Sequence, residues 1–212
     1  MKLYIGNKKY SSWSFRPWIA LTAKNIEFEE ILIPFDNDGK NPKFGDFSPT
    51  SKVPTLVDEE LNVWESLAIL EYLADRFPQH GFWPTDINAR AHARAISNEM
   101  HGGFFGIRGE CPMNMARKVE ALEVGDSVKK DVKRIEAIWE ECLDTFGGPF
   151  LFGEFCNADA MYAPVVNRIE KYELSNHAAV KTYTKAMKAL PAYKAWEEAG
   201  INEPWIVEAD EA

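Results

Sequence analysis

The stretch from Ser51 to Pro78 constrains this chain more than any other. Val53-Pro54-Thr55-Leu56-Val57 is rich in β-branched residues and is closed by the polar run Asp58-Glu59-Glu60, after which Leu61 to Trp64 resumes an extended apolar pattern. Two short antiparallel strands are expected. The period then changes: Leu67, Ile69, Leu70, Leu73 and Phe77 share one side, and Glu71, Asp75 and Arg76 the other, as in an amphipathic helix. Pro54 has no N–H for a ladder, so it belongs at an edge or in a special turn, where a cis bond is admissible and the Val53 backbone is left unpaired. Glu65-Ser66 stands where the helix begins, with unsatisfied N–H groups and the positive end of the dipole facing outward. An anionic ligand group suits that position.

The rest of the first eighty residues extends this unit. Leu3 to Ile5 reads as a strand, Tyr10-Ser11-Ser12-Trp13-Ser14 as a loop and cap, and a helix with Pro17 in its first turn runs to about Lys24. Asn25 is the expected turn before a strand over 26–33. Pro34 to Thr50 has loop composition, with a short helix around Pro42 to Phe47. The sum is an α/β unit on a mixed, mainly four-stranded sheet. Gln79 to Asp86 reads as a linker, and everything beyond it as helix: Ile87 to Arg108 bent at Gly102-Gly103, Ser127 to Thr145, Ala158 to Tyr172, Ala178 to Ala189 and Ala192 to Ala199. Ser127 to Thr145 is strongly amphipathic, whereas Ala158 to Tyr172 is apolar nearly all round and therefore central. Domains over residues 1–79 and 86–212 are expected.

Net charge separates some function classes. At −9, the 212-residue chain lacks the clustered cations that phosphate neutralisation needs, so no nucleic acid is expected as partner. Cys111, Cys142 and Cys156 are odd in number and form no C-x-x-C pair, so they read as small buried hydrophobes in a cytoplasmic protein. There is no apolar run of membrane-spanning length, and His80, His92 and His177 lack metal-ligand spacing, so neither membrane nor metal is expected. The acidic tail from Glu208 reads as disordered.

Lys52-Val53-Pro54 and Glu65-Ser66 in an α/β unit, followed by an all-helical region, resemble the cytosolic glutathione S-transferases over essentially the whole length. Ser11-Ser12-Trp13-Ser14-Phe15-Arg16 is similar to the active-site segment of the serine-type classes, closest to zeta, with Trp13 where zeta members carry cysteine. The segment Leu151 to Asp159 is similar to the family's capping segment, with Cys156 in place of the usual Ser or Thr. Cysteine is a poor cap, so either Asn157 takes the role or the helix gains less from capping. The resemblance implies a thioredoxin-like N-terminal domain, a helical C-terminal domain, a cytoplasmic homodimer, detoxification chemistry and glutathione as co-substrate.

It also implies roles. Near pH 7 only a few per cent of a thiol with a pKa of about 8.5 is ionised; lowering it by about two units is worth roughly 2.7 kcal/mol and makes thiolate the major form. Ser11, five residues before Arg16, is the candidate donor to the sulfur, with Ser12 second and Tyr10 the tyrosine alternative. Without the resemblance, both serines read simply as helix caps, and Pro54 as an edge-strand proline. The Val53 backbone would pair with the cysteinyl amide, Glu65 with the γ-glutamyl ammonium, Ser66 with its carboxylate, and Lys52 with the glycine carboxylate. An apolar electrophile would sit against Met100, His101, Phe104, Phe105 and Arg108. Arg16 admits either a solvated or a functional role, and Arg108 a nearby carboxylate partner. The alternatives are a glutathione-dependent cis–trans isomerase of the maleylacetoacetate type and a noncatalytic binding module on the same fold.

Overall fold

The computed structural model describes residues 1–36 and 40–211. Four short strands, β1 (Lys2–Ile5), β2 (Glu29–Leu32), β3 (Thr55–Asp58) and β4 (Leu61–Trp64), form one sheet in the order β2-β1-β3-β4. β1 runs parallel to β2 and antiparallel to β3, which pairs antiparallel with β4. The parallel pair is joined through α1 (Ser12–Ala23), and the β3–β4 hairpin leads into α2 (Ser66–Arg76). This is the expected mixed four-stranded sheet. Asn25 and Glu59 take the positive φ that their turns require.

Differences from expectation have local causes. β2 is confined to Glu29–Leu32, since Asn25 still completes the turn from α1 and only four residues reach register with β1. Pro17 lies inside α1 rather than in its first turn, because the helix already begins at Ser12, and Pro17 supplies no N–H to the carbonyl of Trp13. Residues 37–39 of the expected loop lie outside the described residues; beyond them Pro42–Asp46 forms a 3-10 turn whose cap is the Asn41 side chain.

The helical region comprises α3 (Ile87–Gly102), α4 (Phe105–Glu110), α5 (Asp126–Phe146), α6 (Asn157–Lys171), α7 (Ala178–Ala189) and α8 (Pro191–Ile201). The anticipated bend is a full break. Gly103 is extended, a Cβ there would come within 2.8 Å of the Glu99 carbonyl, and Phe104 takes φ 57°. Residues 79–86, read as a linker, are pinned: Pro78–His80 forms a 3-10 turn, Phe82 and Trp83 are buried, and the Trp83 indole donates to Glu71 at 3.1 Å.

α6 is buried along nearly its whole length, against α1, α3 and α7. Its start corrects the capping expectation. Cys156 itself is the N-cap and forms a capping box with Asp159, whereas Asn157 is already helical and donates from Nδ2 to the Leu70 carbonyl at 3.0 Å. The fully buried Asp159 accepts from the N–H of Leu151 (3.0 Å), the N–H of Cys156 (2.9 Å) and the Tyr183 hydroxyl (2.9 Å). Burial pushes its pKa up to about 6 against the pull of those donors.

The acidic tail is ordered up to Glu211. Glu208–Asp210 forms a 3-10 turn, and Tyr10 donates its hydroxyl to the Glu211 carboxylate. The physical reason is a set of fixed donors that composition does not reveal. Asp159→Ala leaves three buried donors unmatched and should destabilise the fold by about 2–4 kcal/mol, read as a shifted midpoint in denaturant unfolding; an unchanged midpoint would contradict this role.

Candidate active site

Two adjoining cavities open where the ends of β1 and β3 meet the helical region. The smaller, about 240 Å³, is lined by Trp13, Thr50, Lys52, Val53, Pro54, Glu65, Ser66 and Arg108. The larger, about 600 Å³, shares Trp13, Thr50, Lys52, Val53 and Arg108 and adds Tyr10, Ser11, Ser12, Phe35, Met113, Arg168 and Asp210 among others. The fold therefore gathers Ser11, Ser12, Lys52, Val53, Pro54, Glu65, Ser66 and Arg108 about one cleft.

The smaller cavity is built for a peptide-like anion. The Val53–Pro54 peptide is cis, Val53 stands just before the first ladder pair of β3, and no turn or loop hydrogen bond uses its backbone among the described residues. Glu65 caps α2 with φ 66°, an uncommon conformation for a residue with a Cβ. Ser66 is 1% exposed, yet its Oγ has no partner. A buried hydroxyl without a partner costs about 1–3 kcal/mol, and here it sits at the head of an eleven-residue helix and lines the cavity.

Ser11 is the N-cap of α1 and is 5% exposed, but its side chain does not cap the helix. Its Oγ lies 2.7 Å from Ser14 Oγ, which accepts from the Gly6 N–H at 3.2 Å. Both are hydroxyls, so turning them reverses the bond: Ser14 then donates to Ser11, and the Ser11 proton points away, in a chain from Gly6 through Ser14 to the cleft. Ser14, fully buried behind Ser11, was read in the sequence only as part of the loop and cap. The Ser12 hydroxyl has no hydrogen-bond partner among the described residues. Tyr10 lines the larger cavity, but its hydroxyl is engaged by Glu211, and burial together with that bond raises its pKa.

Of the residues expected to seat a second substrate, only Arg108 lines the cleft. Met100 is fully buried in the core, Phe104 is 7% exposed and packs there too, and Phe105 is 72% exposed, since the break at 103–104 turns α4 so that Phe105 faces solvent. His101 reaches the site indirectly, edge-on to Trp13 at 5.2 Å and 3.9 Å from the Glu65 carboxylate.

Two guanidinium groups, Arg108 and Arg168, line the cleft instead, and a third, Arg16, is buried behind Trp13. Arg16 and Arg108 lie over the Trp13 ring at 4.0 and 4.5 Å. Arg108 finds carbonyls, not a carboxylate, donating to those of His101 (3.3 Å) and Gly103 (3.2 Å). Arg16 is 1% exposed, not solvated. Its Nε donates to the Met161 carbonyl at 3.1 Å, while Nη1 is buried without a partner. Arg168 repeats the pattern, with Nε on the Cys111 carbonyl at 2.9 Å and Nη1 unpartnered. Burial lowers all three pKa values, that of Arg168 to about 10, and mutual repulsion adds to the effect on Arg16 and Arg168. An arginine beside Val165, Val166 and Ile169, on a helix apolar nearly all round, was the available sequence signal for Arg168. The buried free cysteines carry raised pKa values, about 11 for Cys111 and about 12 for Cys142, and offer no thiolate.

Residues 10–76 match the family described as glutathione S-transferase, N-terminal domain. A probable maleylacetoacetate isomerase of Caenorhabditis elegans is 30% identical over 186 residues, 86% of this chain and 87% of that protein. The chain belongs to the glutathione S-transferase family. A zeta-class glutathione S-transferase of Euphorbia esula is 28% identical, with 89% of this chain and 81% of that protein covered. Among solved structures, a Burkholderia glutathione transferase homolog with bound glutathione superposes with a TM-score of 0.73 at 22% identity, covering 95% of this chain and 98% of that one. A bacterial zeta-class maleyl pyruvate isomerase matches with the same score and identity, over 96% and 99%. The glutathione S-transferase fold is thus present throughout: a thioredoxin-like sheet unit and a helical region. Among the described residues no helix is long and apolar enough to cross a membrane.

In this transferase-family cleft the His101 pKa is lowered, first by burial and then by Arg16, with Glu65 pulling the other way. Its imidazole is therefore neutral at pH 7, and its approach to Glu65 is not an ion pair there. NMR titration should place the His101 midpoint below 6.5, the ordinary value. Between the two midpoints the folded chain binds fewer protons than the unfolded one, so this group lowers stability as pH falls through that window. A midpoint at or above 6.5 would contradict the assignment.

Proposed function

We propose that the protein is a glutathione transferase that holds glutathione along the smaller cavity and activates its thiol at the N-terminus of α1 for attack on an apolar electrophile in the larger one. The observation that carries this is the unpartnered, buried Ser66 hydroxyl at the head of α2, beside the free backbone of Val53 in the same cavity. Ser66 and the α2 N-terminus receive the γ-glutamyl carboxylate, and Glu65 its ammonium. The Val53 backbone pairs with the cysteinyl amide as an added strand would, and Lys52, on the wall of both cavities, takes the glycine carboxylate. Residues 1–79 form the glutathione-binding domain and 86–212 the helical domain in this reading.

The chemistry follows from the placement of Ser11. Its hydroxyl donates to the sulfur and favours thiolate over thiol, with Ser14 donating to Ser11 behind it and the α1 dipole and the arginine cluster adding positive potential. Ser12, whose hydroxyl is free, is the second candidate. The enzyme acts in the cytoplasm as a detoxifying homodimer, and Leu61 and Trp64, which leave apolar surface exposed on β4, are consistent with a partner subunit there. A second reading, glutathione-dependent cis–trans isomerisation, is favoured by the Caenorhabditis elegans relative, which is named a probable maleylacetoacetate isomerase. Trp13 in place of cysteine distinguishes this chain from the zeta pattern.

Ser11→Ala should lower kcat/KM for conjugation of a model electrophile about 10-fold or more with glutathione binding largely kept, whereas unchanged turnover would remove Ser11 as activator. Ser66→Ala should raise the glutathione dissociation constant about 10-fold, measured by calorimetry, and an unaltered constant would count against the γ-glutamyl site. Parallel assays of conjugation and cis–trans isomerisation separate the two readings.

A further inference from the structure

The segment after α8 is strapped onto the loop that precedes Ser11 and reaches the wall of the larger cavity through Asp210. Gly200, where a Cβ would come within 3.0 Å of the Lys8 backbone, lets the end of α8 lie against the loop that precedes Ser11. The Glu203 carboxylate then accepts the N–H groups of Lys8 (2.8 Å) and Lys9 (3.0 Å), and the Lys9 ammonium donates to the carbonyls of Glu203 (2.9 Å) and Trp205 (3.3 Å). Val207 is buried. Asn114 donates to the Asp210 carbonyl at 3.2 Å and to the Glu211 carboxylate at 3.1 Å, on which Tyr10 also bonds. With its backbone held from both sides, Asp210 is brought to the cavity wall that Arg168 also lines.

We propose that Asp210 is a specificity-determining residue for the second substrate: its carboxylate offsets part of the positive field of Arg16, Arg108 and Arg168, so that the cavity favours carboxylate-bearing electrophiles over neutral ones less than the arginines alone would. The inference rests on the transferase reading of the same cleft. Arg168 is nine-tenths buried with an unpartnered Nη1, and Asp210 forms no ion pair with it within 4 Å, so the two act on each other across a gap. That mutual influence is visible in their ionisation. Burial raises the Asp210 pKa while Arg168 pulls it down, and Asp210 in turn raises that of Arg168. Bound glutathione thiolate takes up part of the remaining positive field. On the same wall the Asp210 carboxylate repels a second anion and so reduces what the arginines gain from it, in a partly desolvated setting where charge is weakly screened.

The test uses the full chain with chlorodinitrobenzene and its carboxylate-bearing analogue chlorodinitrobenzoate. In both, the thiolate sulfur bonds to the ring carbon, and the carbon–chlorine bond breaks with its electron pair leaving as chloride. Asp210→Asn should raise the ratio of kcat/KM for the benzoate over the neutral compound about fivefold or more, and Asp210→Glu, which keeps the charge, should stay within about twofold of wild type. A ratio for Asp210→Asn within about twofold of wild type overturns the proposal. So does an equal rise in both variants, which would mark loss of the strap rather than of its charge. Failure of the wild type to turn over the neutral compound overturns the transferase reading, and this inference with it.

Discussion

The site depends on a buried cation that has no carboxylate partner. Arg16 projects from α1 into the helical region, where its Nε is fixed on a carbonyl of α6 and its plane lies over Trp13. Placing a guanidinium there without a counter-anion costs several kcal/mol of solvation, which the hydrogen bond and the indole face offset only in part. The deficit is tolerated because α1 is buried against α6, α2 and α8, so its N-terminus, with Ser11 and Ser12, has one direction left open. That direction is the cleft. A structure that holds unneutralised positive charge beside a hydroxyl relay is already arranged for an anion, and the ligand completes what folding leaves unsatisfied.

The same logic recurs on a smaller scale at α2. A capping residue with positive φ and a serine hydroxyl without a partner each lower the stability of the apo fold. The start of α6 is the opposite case: the buried Asp159 has three donors, and even the cysteine cap is closed by a reciprocal bond. Buried groups without partners also occur away from the cleft, at Trp139, Tyr193 and Trp196 among others; what sets Ser66 and Arg168 apart is that they line its cavities.

Much of this was legible in the sequence, for physical reasons. The strand pair and helix over 51–78 declare themselves through a change of period, and α5 and α7 through amphipathic spacing, because local patterning governs both. The motif at Val53, Glu65 and Ser66 was readable because each residue solves a local backbone problem. What failed were inferences that needed the third dimension. Met100, Phe104 and Phe105 sit on the right segment but, among core, break and solvent, none faces the cleft. Arg168 enters from a helix remote in sequence, and Asp210 from a tail whose composition suggests disorder, so no local pattern could have joined them to Ser11.

The bond between Tyr10 and Glu211 spans 201 positions of the chain. On the ribosome the loop carrying Tyr10 emerges long before the strap that fixes it, and closing so long an interval is slow relative to forming the sheet and helices. The loop before Ser11 thus stays without its outer support until that later segment has been made. Assembly of this cleft is consequently a late event in folding, even though Val53, Glu65 and Ser66 lie in the first third of the sequence.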